Sequence, residues 1–240
     1  MKEELLKALV KGCEAEGIRL AEEQLQAFAH YAEMLVDWNN RVNLTAILDP
    51  QGIALKHFVD SLLCGKYFGL EGSLRLLDVG TGAGFPGIPL KIAYPLAELT
   101  LLDSLQKRIG FLSAVVEELN LDKVVAVHGR AEDVARLVQH REQYDVVVSR
   151  AVARLTVLAE YCLPFVKIGG TFIAMKGSAV NEELEESFKA LQILGGKLDK
   201  VVEYVLPLSG DSRTLVIIRK SGATPAKYPR KAGLPEKTPL

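Results

Sequence analysis

The chain has 240 residues, 49% hydrophobic and 25% charged, a globular balance that excludes disordered, collagen-like and coiled-coil classes. Its formal net charge is −1, from 29 basic and 30 acidic residues, which at face value argues against a polyanionic partner. No apolar run approaches the roughly 20 residues of a bilayer span, and the charged N-terminus MKEELLKALVKG is no signal peptide, so no membrane association is expected. Three distant cysteines (Cys13, Cys64, Cys162) without CxxC or CxxH spacing read as buried thiols in the reducing cytoplasm, with no disulfide framework.

Residues 1–66 read as a helical extension. Leu5, Leu6, Leu9, Val10 and Cys13 recur at helical spacing, as do Leu25, Phe28, Ala29, Ala32, Leu35 and Val36. Asp49-Pro50 suits the cap and first turn of a third helix, and the polar stretch from Trp38 to Thr45 should interrupt the pattern. Residues 67–220 read as an α/β domain. Short β-rich runs end near Asp78, Asp103, His128, Ser149 and Met175, with helical segments at Leu105–Leu119 and Arg154–Cys162 between them. That cadence predicts parallel strands with helical crossovers. After a helix near Asn181–Leu194, Val201–Leu206 and Thr214–Arg219 are too closely joined for a crossover and predict an antiparallel hairpin.

The near-zero total charge hides an asymmetry. From Arg219 onward there are six basic residues (Arg219, Lys220, Lys227, Arg230, Lys231, Lys237) and one acid, Glu236, so a basic tail over 221–240 follows an acidic body. Such a tail is either a solvated terminus or an arm for a polyanion. Placed near Arg150, Arg154 and Lys176, it would complete a basic contact surface.

The segment Asp78-Val-Gly80-Thr-Gly82-Ala-Gly84-Phe85-Pro-Gly87 follows the first strand and opens a helix, where an open α/β sheet binds nucleotide-like ligands. Gly82-x-Gly84-x-x-Gly87 fits a dinucleotide fingerprint, whereas Asp78-x-Gly80-x-Gly82-x-Gly84 fits the loop of S-adenosyl-L-methionine binders. A pyrophosphate would meet Asp78 as a like charge, and a methionine ammonium or a sulfonium would find it favourable. The terminal hairpin also suits the methyltransferase form of the sheet. Asp103, ending the second strand, is placed to accept ribose hydroxyls, or to cap the helix after Ser104. Ala131 and Glu132, after the third strand, lie where backbone groups would read an adenine edge.

The fourth strand ends in Ser149-Arg150-Ala151-Val152-Ala153-Arg154. It lacks the Asn/Asp-Pro-Pro-aromatic segment of amine methylation and the Pro-Cys nucleophile of pyrimidine C5 methylation. An acceptor that is already nucleophilic remains, and guanine N7 is one, because its in-plane lone pair carries no proton to remove. Alignment for in-line displacement is then the main task. Arg150, Arg154 and Lys176 are the candidate catalytic residues, orienting a base, a phosphate or the cofactor carboxylate, with surface ion pairs as the alternative for each arginine. None of His30, His57, His128 and His140 has metal-ligand spacing, so no metal is expected.

The ordered set of blocks resembles a known family, the bacterial small-subunit rRNA guanine-N7 methyltransferases (RsmG, also called GidB). It comprises Trp38-Asn39 with Asn43-Leu44-Thr45, His57-Phe-Val-Asp-Ser61, Leu77–Gly87, Leu102–Arg108, Gly129–Glu132, Ser149–Ala153 and Tyr228-Pro-Arg-Lys-Ala-Gly233. The resemblance implies a Rossmann-like class I methyltransferase fold, with a mostly parallel seven-stranded sheet, a terminal antiparallel hairpin and the helical extension. It also implies an S-adenosyl-L-methionine pocket lined by Gly80, Phe85, Asp103 to Leu105, Ala131-Glu132 and Arg150. The implied substrate is a guanine in the decoding-region stem-loop of 16S rRNA, free or in the small ribosomal subunit. Nothing in the sequence demands more than a monomer. Rival readings are a small-molecule methyltransferase, a dehydrogenase, and a non-catalytic RNA-binding assembly factor. Deletion of residues 220–240 is expected to spare a small-molecule enzyme and to weaken an rRNA enzyme.

Overall fold

Alternating side chains along the central strands decide the layering. In the computed structural model, which describes residues 1–67, 72–150, 152–178 and 180–240, Leu76, Val146, Val148, Ile173 and Ile217 join one apolar cluster. Their chain neighbours Leu77, Val147, Phe172, Ala174, Val216 and Ile218 join another on the opposite face. Strands buried on both faces read as near-continuous apolar runs, which is why the sequence shows them so clearly.

The strands are β1 (Arg75–Val79), β2 (Glu98–Asp103), β3 (Val124–His128), β4 (Tyr144–Arg150), β5 (Val166–Lys176), β6 (Gly196–Val205) and β7 (Ser212–Lys220), in the order β3-β2-β1-β4-β5-β7-β6. β7 runs opposite to the other six strands, and it pairs with β6 as the expected hairpin. This is the expected seven-stranded, mostly parallel sheet. β6 begins at Gly196 instead of near Val201, and its register shifts between Leu198 and Lys200. As an edge strand it has one solvated side, which accommodates the polar residues Lys197, Asp199 and Lys200 that masked it in the sequence.

Helices α1 (Lys2–Ala15) and α2 (Glu22–Asn39) share the first cluster with α5 (Gly87–Ala93) and α6 (Gln106–Glu118). So does a continuous helical segment made of α3 (Pro50–Gly52), a π-helical stretch (Ile53–Val59) and α4 (Asp60–Gly65). Asp49 caps it as expected, accepting a hydrogen bond from the Gly52 N–H at 2.7 Å. α2 runs on through Trp38 and Asn39, where the sequence suggested a break. The Asn39 side chain then accepts the N–H groups of Leu44 (2.7 Å) and Thr45 (2.9 Å), so this residue both ends the helix and shapes the following loop. The opposite face is covered by α7 (Ala131–Val134), α8 (Leu155–Cys162), α9 (Asn181–Ile193) and the C-terminal segment, which ends in α10 (Leu234–Lys237). Residues 68–71, beside the expected boundary at 66/67, and Ala151 of the Ser149–Ala153 block lie outside the described residues. Among the described residues no helix is long and apolar enough to cross a membrane.

Candidate functional site

β1 has β2 on one side and β4 on the other, so the chain order reverses at its carboxyl end and opens a crevice there. The glycine loop forms the floor. Gly80 has φ +69°, and a Cβ on it would meet Val152 Cγ2 at 2.6 Å, so both conformation and space require glycine. Gly82, with φ +60°, would send a Cβ into open space within the crevice.

Three connected hollows run along the crevice. The first, about 390 Å³, is lined by Thr45, His57, Gly80–Ala83, Phe85, Asp103, Ser104, Arg108, Arg150 and Val152. A narrower one of about 140 Å³ shares Gly80, Asp103 and Ser104 and continues past Gly129, Ala131 and Glu132 to Tyr161 and Glu236. A third, about 480 Å³, shares His57 and Arg150 with the first and is ringed by Lys56, Lys176 and Arg213, with Asp60 and Glu183 among them.

Asp103 is buried, with 2% exposure. Its Oδ1 accepts the Leu105 N–H at 2.9 Å, while Oδ2 accepts Gly82 N–H at 2.9 Å and Arg108 Nη1 at 3.2 Å. Asp103 therefore braces both the glycine loop and the start of α6. Three of the about four acceptor positions of a carboxylate are used. Asp78 is fully buried beneath the loop, where Oδ2 accepts Thr81 Oγ1 (2.7 Å) and Gly87 N–H (2.8 Å). Its Oδ1 has no partner among the described residues. Desolvation, only partly offset by those two hydrogen bonds and by Arg150, raises its pKa to about 6. Asp78 thus lies behind the crevice wall and does not line it.

At the junction of the first and third hollows stands a polar assembly that no local motif announces. His57, on the π-helical stretch, stacks on Phe85 with ring centroids 4.4 Å apart. Arg150 lies over the same ring at 4.9 Å. Its Nη2 points at His57 Nδ1 (3.3 Å), and Nη1 donates to the Lys56 carbonyl (3.0 Å) and to Asp60 Oδ2 (3.3 Å). Because the guanidinium only donates, Nδ1 accepts, and Nε2–H is the donor to Thr45 Oγ1 at 2.8 Å. Burial and the Arg150 charge lower the His57 pKa to about 3, so the imidazole stays neutral. Asp60, 2% exposed, also accepts Tyr204 OH (2.9 Å) and faces Arg213 Nε at 3.6 Å.

The candidate residues Gly80, Gly82, Phe85, Asp103, Ser104, Ala131, Glu132, Arg150 and Lys176 all line these hollows. The walls do not include Asp78, Gly84, Leu105 or Arg154. Gly84 turns inward, where a Cβ would strike Ile88 and the Tyr31 hydroxyl, and the Leu105 side chain is half exposed. Arg154 is an exposed ion-pair partner of Glu186 at 2.6 Å. Lys176 donates to the Ala153 carbonyl (2.8 Å) and pairs with Glu183 (2.7 Å), which also accepts the Leu155 N–H at the start of α8. Sequence reasoning passed over Lys56, Asp60, Tyr161, Tyr204, Arg213 and Glu236. Only Asp60 carried a signal, as an acid inside the His57–Ser61 block.

The basic tail is not near Arg150, Arg154 and Lys176. Its hydrogen bonds run to Glu132, Arg136, Arg141 and Glu160 at the other end of the crevice. Deleting residues 220–240 would also remove Lys220 from its buried contacts with the Leu163 carbonyl (2.7 Å) and Glu142 (3.2 Å). That deletion therefore does not separate an rRNA enzyme from a small-molecule one.

The residues present fit S-adenosyl-L-methionine. A glycine cradle open at Gly82, a carboxylate with a spare acceptor position at the ribose end, and a buried unpartnered carboxylate oxygen behind the loop suit a cationic nucleoside better than a pyrophosphate.

Comparison with known proteins agrees. Residues 24–215 match the family model described as rRNA small subunit methyltransferase G. The "Ribosomal RNA small subunit methyltransferase G" of Acetivibrio thermocellus is 51% identical over 98% of this chain and 97% of its own length. The protein of the same name from Desulforamulus reducens is 50% identical over 92% of each. Among solved structures, a SAM dependent methyltransferase from Aquifex aeolicus superposes with TM-score 0.53 at 19% identity, over 71% of this chain and 93% of that one. M. jannaschii TYW2 in complex with AdoMet gives 0.51 at 14%, over 66% and 74%. The expected class I fold stands, and S-adenosyl-L-methionine stands as the cofactor. By its sequence, this chain belongs to the rRNA small subunit methyltransferase G family.

Proposed function

We propose that this chain methylates N7 of a guanine in the decoding-region stem-loop of 16S rRNA, by in-line methyl transfer without a general base. The family supports small-subunit rRNA as the substrate. The observation that carries the N7 reading is the protonation chemistry at the junction of the hollows. His57 is held neutral with a pKa near 3 and both ring nitrogens engaged, and the carboxylates of Asp60 and Glu183 are each ion-paired. Among the described residues no strong base faces the acceptor, and guanine N7 requires none.

When bound, S-adenosyl-L-methionine supplies an electrophilic methyl group on a sulfonium. The chain's own residues hold and orient. Gly80 and Gly82 give the floor, Asp103 and Ser104 the ribose end, and Ala131 and Glu132 the adenine end. Phe85, His57 and Arg150 form the wall between donor and acceptor, so the acceptor enters the third hollow beside Arg150. There Lys56, Lys176 and Arg213 offer cations to the RNA backbone, which fixes register without reading bases. Arg150, fixed by four polar and aromatic contacts, orients the base or its phosphate with little reorganisation.

Labelled cofactor incubated with unmodified small ribosomal subunits, followed by nuclease digestion and mass mapping, should place the label in N7-methylguanosine within that stem-loop. Label confined to another atom or nucleotide would sink the N7 assignment. Transfer only to small molecules would sink the rRNA one.

A further inference from the structure

The C-terminal segment is fastened along the sheet face opposite the helical extension. Arg230 forks Glu160, with Nε 2.9 Å from Oε1 and Nη2 2.6 Å from Oε2, and its backbone N–H donates to Oε1 at 2.7 Å. Arg141 donates to the carbonyls of Thr224 (2.7 Å) and Tyr228 (2.9 Å), and Arg136 to that of Pro229. The final fastening is on the cofactor crevice itself, since the Gly233 N–H donates to Glu132 Oε1 at 2.8 Å.

Three residues later Glu236 forms part of the wall of the 140 Å³ hollow, as do Asp103 and Tyr161. Burial together with the charges of Glu132 and Glu236 pushes the Tyr161 hydroxyl's pKa up, so it remains a donor. The Glu236 carboxylate offers acceptor positions to the same hollow. Asp103 takes the ribose end, so the far end of the hollow receives the edge of the purine. An adenine presents an exocyclic amine there, a donor that matches a carboxylate. A hypoxanthine presents a carbonyl, which a carboxylate repels.

We infer that Glu236, carried into the crevice by the C-terminal segment, is a cofactor-binding residue that accepts a hydrogen bond from the adenine exocyclic amine. The segment is thereby a wall of the cofactor site and not a free arm. This rests on the reading of the crevice as the S-adenosyl-L-methionine site.

The test is calorimetric binding of S-adenosylhomocysteine and its deaminated analogue S-inosylhomocysteine to the full chain. Wild type should prefer the adenosyl ligand by about tenfold, the value of one hydrogen bond to a charged acceptor. E236A should lose that preference, by weakening the adenosyl ligand and relieving the repulsion on the inosyl one. E236Q, whose amide both donates and accepts, should bind the two about equally, by gaining the inosyl ligand. Because Glu236 is exposed at the rim, both variants should melt with the wild type. Unchanged discrimination in E236A, or equal weakening of both ligands, overturns the proposal alone. A wild-type chain that binds neither ligand overturns the cofactor reading and this inference with it.

Discussion

The two terminal segments cover opposite faces of one sheet, and different forces hold them there. The helical extension is fixed by rings. Phe28, Tyr31, Phe58, Phe85 and Phe111 are all buried, with centroids 4.8 Å apart for Phe28–Phe58 and 5.5 Å for both Tyr31–Phe58 and Tyr31–Phe85. The Tyr31 hydroxyl hydrogen-bonds the Ala83 carbonyl, so the same cluster grips the glycine loop. The C-terminal segment is fixed largely by directional bonds, from arginine side chains and backbone N–H groups to carbonyls and carboxylates. Apolar burial is summed over many contacts and degrades gradually. A directional bond to a buried charge fails at once, because the partner left behind is costly. The glycine-loop end of the crevice is therefore built on the tolerant fastening, and the Glu132 end on the intolerant one.

Four changes test that contrast, from the largest expected effect to the smallest. Phe58→Ala should destabilise the chain by about 3–5 kcal/mol in urea unfolding, with extension and sheet melting in one transition. A loss under about 1 kcal/mol would mean that the cluster is not part of the core. Arg230→Ala should cost about 2–3 kcal/mol, below the full value for a buried pair because the arginine is partly exposed. Glu160→Gln in the same chain should recover part of that loss. No recovery would show that stranded charge is not the cause.

The third change concerns pH. Asp78 sits at about 6 in the folded chain, raised by desolvation, and a bound cation favours its ionised form. Binding then releases a proton wherever Asp78 is protonated, so affinity for S-adenosyl-L-methionine should climb as pH rises through about 6 and level off above it. A displacement of one pKa unit corresponds to about tenfold in affinity. His57, lowered to about 3, stays neutral throughout and does not blur the profile. Asp78→Asn should flatten the profile, and a profile unchanged by that substitution would exclude Asp78 as its source. The smallest effect on stability is expected for Lys231→Ala and Lys237→Ala, exposed basic residues of the tail. Melting should shift by under about 0.5 kcal/mol. The salt dependence of rRNA binding should fall by roughly one unit of slope for each lysine that meets a phosphate.

The sheet was legible because β1, β2, β4 and β5 are local apolar runs ending in polar residues at the crevice. The loop, Asp103 and Glu132 were legible for the same reason, since each lies immediately beyond a strand. The assembly around Arg150 was not. Its partners Thr45, His57, Asp60, Tyr204 and Arg213 meet only in the folded chain, and Tyr204 stands 144 positions from Asp60. Tyr204 and Arg213 occupy ordinary strand positions, and no spacing marks them. The charge count found the basic tail and could not see which of its charges are bonded internally. Lys220 and Arg230 are spent on internal carbonyls and carboxylates, where formal charge says nothing about a partner.

The π-helical stretch Ile53–Val59 sets the phase of the assembly around Arg150. A wide turn of this kind equals one residue inserted into an α-helix, and it lies between the capped start at Asp49 and the helix that begins with Asp60. A chain one residue shorter there would close into a regular helix, and the segment before the deletion would rotate by about 100° relative to the segment after it. Thr45, His57 and Asp60 would all still be present, yet they would no longer converge on one guanidinium. Residue identity alone would score such a chain as intact, although its phase would be wrong. For this site the number of residues between Asp49 and Asp60 is as much a requirement as their kinds.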